Sequence, residues 1–132
     1  MVSEKSIKQF PLIVQERNFT RVGEAVVFEV KTGGWRYKDI TEKIEFFSRT
    51  GAVAYAVAKQ TSKNHNKFVE LDRTLEKHRQ DSVFHKHHLK IARKRHDKDA
   101  IDLYETRLED SKYKGDQAMN LLKDAAKELN II

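Results

Sequence analysis

The chain has 132 residues, 35% of them charged, with a formal net charge of +6 and no cysteine. That length sets a single domain as the expectation, and the lack of cysteine excludes a disulfide framework or a thiolate metal site. No run approaches the roughly 18 apolar residues of a membrane span. The basic balance favours polyanionic partners. With no apolar leader at its start, the chain is expected in the cytoplasm or inside a virion and not secreted.

Residues 1–8 read as a polar arm carrying Lys5 and Lys8. Phe10-Pro11-Leu12-Ile13-Val14 is a short apolar run; its proline lacks an N–H, which limits it to an edge strand or an extended segment. Residues 25–31 alternate, with Val26, Phe28 and Val30 on one side and Val27, Glu29 and Lys31 on the other. Gly33-Gly34 suits a two-residue hairpin turn, because both positions tolerate positive φ. Trp35-Arg36-Tyr37 then returns, pairing Val30 with Tyr37 and Thr32 with Trp35. Two strands alone are marginal in water, so the hairpin must pack on helices, gain residues 10–14 as a third strand, or pair with another subunit. Left exposed, Trp35, Arg36 and Tyr37 would offer surfaces for stacking bases. Packing into the core is the favoured role for such aromatics.

Asp39-Ile40-Thr41-Glu42 resembles a capping box with an acidic cap, so a first helix is expected over residues 39–61. Its core face would hold Ile40, Ile44, Phe47, Gly51, Ala54 and Ala58. Gly51 costs a helix up to about 1 kcal/mol relative to alanine, so a kink or an end near Thr50-Gly51 is the alternative. The small residues Gly51, Ala54 and Ala58 permit close approach of another helix. With the apolar Ile131 and Ile132, they are the candidates for self-association. Residues 61–67 form a linker.

Residues 67–96 and 99–130 carry two long heptad seams. One contains Leu71, Leu75, His78, Ser82, His85, Leu89 and Ala92; the other contains Tyr104, Leu108, Ser111, Gly115, Ala118 and Leu122. A reversal at residues 97–99, with Asp99 as cap and Asp102 in the first turn, makes them an antiparallel pair. Leu89 then faces Leu108, His85 faces Ser111, and Ser82 faces Gly115. The rival is one uninterrupted helix roughly 90 Å long. The expected fold is mainly α: an N-terminal arm and β-hairpin module over residues 1–38, then a three-helix bundle with a long antiparallel helical hairpin.

Lys86, Lys90 and Arg93 fall within one arc of the second helix, with Lys94 beside them and Arg95 and Lys98 extending the charge. Lysine and arginine without a base-reading motif point to the phosphate backbone of DNA or RNA, with Arg36 as a supplementary contact. His78, Asp81, His85 and His88 recur at spacings of three and four and are competent metal ligands. The facing helix adds only Ser111, Gly115 and Ala118, and no paired Glu-x-x-His occurs. No metal and no cofactor is therefore expected, and a pH-sensitive seam is the other reading of these histidines. There is no phosphate-cradling Gly-rich loop and no nucleophile elbow, so catalysis is not expected. The sequence points to a non-enzymatic, homo-oligomeric nucleic-acid-binding protein. The alternative is a structural or assembly protein, as in a virion, scaffold or adaptor, built by self-association of helical hairpins.

Overall fold

The computed structural model describes residues 13–15 and 19–129. The arm lysines Lys5 and Lys8, most of the run 10–14, and Ile131 and Ile132 lie outside the described residues. Five strands come first: β1 (Ile13–Gln15), β2 (Phe19–Val22), β3 (Ala25–Glu29), β4 (Trp35–Lys38) and β5 (Lys43–Phe46). Three helices follow: α1 (Arg49–Gln60), α2 (Asn66–Lys94) and α3 (Lys98–Lys127). The chain divides into two compact units. One comprises residues 1–73 and 121–132, the other residues 74–120.

The strands of the first unit form an antiparallel meander in the order β1-β2-β3-β4-β5. The expected two-stranded hairpin is thus the middle of a larger sheet, which resolves the marginal stability of an isolated ribbon. Its register also differs from the expectation. Val27, not Val30, lies opposite Tyr37, and Glu29 lies opposite Trp35. The turn is longer than two residues: Val30 donates its N–H to the Gly34 carbonyl, and Gly33 donates to the Val30 carbonyl. Both glycines take positive φ there. This register puts Val27 and Tyr37 on one face, and both are fully buried. Thr20, Val22, Ala25 and Phe46 share that buried face.

The expected helix over residues 39–61 begins ten residues late. Asp39 does accept from backbone N–H groups, those of Thr41 (2.7 Å) and Glu42 (2.8 Å), but it closes the turn between β4 and β5. A carboxylate that accepts from the N–H groups two and three residues on serves a turn as well as a helix cap. Residues 43–46 then alternate as a strand. Ile40, placed by the sequence on a helix core face, sits in the turn at 94% exposure. The helix cap is Ser48, whose hydroxyl accepts from the Gly51 N–H at 3.0 Å. Gly51 therefore stands in the first turn and neither kinks nor ends the helix.

Every residue of α1 from Gly51 to Ala58 is buried, with the helix lying against β2, β3, β4 and β5. Asp72, near the start of α2, fixes this arrangement. Its carboxylate is fully buried and accepts from the Phe47 N–H (2.7 Å), the Ser48 N–H (3.0 Å) and the Ser48 hydroxyl (2.7 Å). Arg73 beside it donates to Asp72 and to the Glu45 carbonyl. A Cβ at Gly51 would stand 2.7 Å from the Asp72 carboxylate, so only glycine fits there.

A second polar network ties the β4–β5 turn to the end of α1. Tyr37 donates to Asp39, Tyr55 donates to Glu42 at 2.6 Å, and Lys59 bridges Asp39 and Glu42. Burial alone would raise the Asp39 carboxyl, but hydrogen bonds from Tyr37, Thr41 and Lys59 outweigh it and hold it far below the usual range. Bonds from Lys59 and Tyr55 lower Glu42. Burial, reinforced by the carboxylate each one faces, pushes both tyrosines well above the ordinary phenol range.

In the second unit, α2 stops at Lys94 and α3 starts at Lys98, so the continuous-helix alternative fails. His96 takes φ +55°, while Asp97 donates to the Ala92 carbonyl and His96 to that of Arg93. That is a Schellman-type ending with histidine in the left-handed position that glycine usually fills. Asp97, not Asp99, caps α3, accepting from the Ala100 N–H at 3.2 Å. Between the two helices, the Ser82 hydroxyl lies 3.0 Å from that of Ser111, and the Arg79 guanidinium takes the place beside Gly115 that the seam pairing gave to Ser82. Arg79 also reaches Asp116 at 3.2 Å.

Two outcomes follow for stability. Asp72→Ala strands two backbone N–H groups and a buried hydroxyl, and is expected to cost about 3 kcal/mol in urea denaturation. The turn network works through depressed carboxylates and raised phenols. Its contribution is complete at neutral pH, falls away below about pH 4 as unfolded Asp and Glu take up protons first, and falls away above about pH 10 as unfolded tyrosine loses them first. Melting temperatures across that range should decline on both sides, and Asp39→Asn should flatten the acid limb.

Candidate nucleic-acid interface

Along α2, successive residues rotate by about 100°, so Lys86, Lys90, Arg93 and Lys94 gather on one flank of the seam that holds Leu89 and Ala92. These four line a cleft of about 620 Å³, together with Leu89 and Leu108 at its base and Lys112 from α3. All five cations are exposed, while Leu89 is buried. Arg93 is paired with Glu105 at 3.2 Å. Among the described residues, no carboxylate lies within 4.0 Å of Lys86, Lys90, Lys94 or Lys112. Four unneutralised ammonium groups around an apolar base make a local excess of positive potential, which a chain of phosphates can offset.

The residues singled out from sequence therefore separate. Lys86, Lys90, Arg93 and Lys94 share the cleft. Arg95 and Lys98 flank the turn between α2 and α3, exposed, and do not line it. Arg36 belongs to the first unit, where it pairs with Glu45 and lies 5.8 Å from the centre of the Phe28 ring. Lys112 was missed. It stands one residue beyond Ser111 on the facing helix, and an antiparallel pairing of Leu89 with Leu108 would have placed it near Lys86.

The histidine set also divides. His78, Asp81 and His85 line a smaller cavity of about 280 Å³ with Lys77, Arg107, Asp110, Ser111 and Lys114. His88 instead stacks on Tyr104 (5.2 Å, 20°) and lies against Phe84. Among the described residues no three potential ligands of the His, Cys, Asp or Glu type converge as a metal site would require. The Nδ1 atoms of His78 and His85 are buried and, among the described residues, have no hydrogen-bond partner.

The small residues proposed for self-association are used inside the chain. Gly51, Ala54 and Ala58 are buried in the first unit, where Gly51 makes room for the Asp72 carboxylate. No helix is long and apolar enough to cross a membrane among the described residues. Comparison with protein-family models, with curated proteins and with solved structures finds no match to this chain.

A buried imidazole nitrogen without a partner carries a desolvation cost of about 1–3 kcal/mol. His85→Leu, which keeps apolar bulk and removes that nitrogen, is expected to raise the melting temperature, as calorimetry would show.

Proposed function

We propose that this protein binds the phosphate backbone of nucleic acid through the cleft between α2 and α3, without catalysis. The observation that carries the reading is the set of four lysines with no carboxylate partner, gathered from both helices around Leu89 and Leu108. Ordinary surface lysines interleave with acids along a helix, as Lys77 does with Asp81 and Lys114 with Asp110. These four do not. Lysine supplies a point charge and no planar fork, which suits backbone contact and leaves sequence unread. A non-catalytic role is supported by the ionisable groups with displaced titration: Tyr37, Asp39, Glu42, Tyr55 and Lys59 spend their bonds on one another.

A second reading, an assembly protein in which helical hairpins of several copies associate, is favoured by the apolar side chains left on the hairpin surface. Val83 is 70% exposed and Phe84 55% exposed. Homo-oligomer formation belongs to both readings, and with Gly51, Ala54 and Ala58 buried in the first unit these exposed side chains of the hairpin are its candidate contacts.

Fluorescence anisotropy of labelled oligonucleotides across a salt series separates the two. Engagement of all four lysines predicts a log–log salt slope of about −3. Lys90→Glu with Arg93→Glu should abolish binding and leave the oligomer mass unchanged. Unaltered affinity in that double variant, or no binding at low salt, overturns the cleft as a phosphate site.

A further inference from the structure

The sheet of the first unit has a second face, turned away from α1, and its residues follow from the strand register. One cross-strand row is Phe19, Phe28, Arg36 and Glu45; the next is Arg21, Val26, Lys38 and Lys43. The first row is half aromatic, and three of the four residues in the second are basic. The rows lie two residues apart along each strand, which is about 6.6 Å. The Arg21 guanidinium stands 5.6 Å from the centre of the Phe19 ring, and that of Arg36 stands 5.8 Å from the centre of Phe28.

One pair on this face works against the fold. Lys38 and Lys43 lie directly opposite each other across β4 and β5, and both are exposed. Like charges at directly opposed sheet positions are destabilising. Arg21 and Arg36 add to the same face, and Glu45 is the single acid in the two rows, already paired with Arg36. A face with this charge repels a second copy of itself in a two-fold pairing. It is complementary to a polyanion, and its phenyl rings are complementary to flat apolar groups.

We propose that this outer sheet face is a binding surface for single-stranded nucleic acid, in which an unpaired base stacks on Phe28 while phosphates run along Arg21, Lys38 and Lys43. A duplex hides its base faces, so only a single strand can use the rings. The surface differs from the helical cleft in position and in chemistry: the cleft holds phosphates alone, and the sheet holds bases too. The proposal rests on the nucleic-acid reading above for its ligand class. It also corrects the sequence-based candidates for stacking. Tyr37 is fully buried, and Trp35 lies on the inner face with the Arg49 guanidinium 6.0 Å from its ring centre.

The test measures full-length protein against two labelled probes of equal length at one salt concentration, oligothymidylate and an abasic deoxyribose-phosphate chain. The wild type should bind oligothymidylate roughly tenfold more tightly, the scale of one base–aromatic stack. Phe28→Leu should erase that difference. Lys90→Glu with Arg93→Glu should weaken both probes alike and leave the difference intact, so failure of the cleft and failure of the sheet face give separate results. Lys43→Glu covers the case in which Phe28→Leu does not fold. It converts the opposed lysines into a complementary pair, so the melting temperature should hold or rise while affinity for oligothymidylate falls severalfold. Equal wild-type affinity for the two probes overturns the proposal, as does a difference that survives Phe28→Leu in folded protein, or unchanged affinity in Lys43→Glu.

Discussion

The buried carboxylate of Asp72 is the constraint on which the first unit depends. A charge taken out of water is tolerated only when hydrogen bonds replace its hydration. Asp72 obtains them from two backbone N–H groups and the Ser48 hydroxyl at the junction of β5 and α1. The same contacts occupy donors that a helix N-terminus would otherwise leave unmet. One side chain of α2 thereby sets where α1 begins and how it meets the sheet. Gly51 is the corollary, since any side chain there would collide with the carboxylate.

Polar groups inside this protein are handled in two contrasting ways. Around the β4–β5 turn, two tyrosines, two carboxylates and a lysine form a closed set in which each charge meets a partner. Such a network is rigid and acts as a structural clamp over a defined pH range. In the helical unit, by contrast, His78 and His85 bring ring nitrogens into the interior with no partner among the described residues. Ser82 and Ser111 between them are satisfied by each other and by the carbonyls of His78 and Leu108. The seam of the second unit thus combines the buried apolar residues Leu75, Leu89, Ala92 and Ala118 with a pair of hydroxyls.

The positive charge follows the same division. The helical cleft concentrates ammonium groups around leucines, and the sheet face sets cations beside phenyl rings. Neither arrangement is favourable in isolation, because unmatched like charges repel within a folded chain. Under the proposed function a polyanion offsets both: the cleft, with no aromatic side chain in its lining, would contact phosphates alone, and the sheet face would contact bases as well.

The sequence by itself determined the elements whose signals are local and repetitive. The heptad seams set the extents of α2 and α3 to within a few residues, and the charge arc named Lys86, Lys90, Arg93 and Lys94, because helical rotation alone brings those residues together. It placed a chain reversal before Asp99 but not the residue that makes it, since a left-handed histidine at position 96 has no signature of its own. Asp39 misled because its bonds to the next N–H groups look the same in a turn and in a cap. That error hid β5 and spread the core face of α1 over residues that are not helical. The hairpin register was misplaced because a glycine pair does not declare how many residues its turn will take, and a shift by an odd number exchanges the two faces. Only the tertiary structure could decide that Tyr37 is buried and Phe28 faces outward, that Gly51 makes room for a carboxylate 21 positions later in the chain, and that Lys112 joins the basic cleft. Each depends on a contact between residues distant in sequence, which no local pattern encodes.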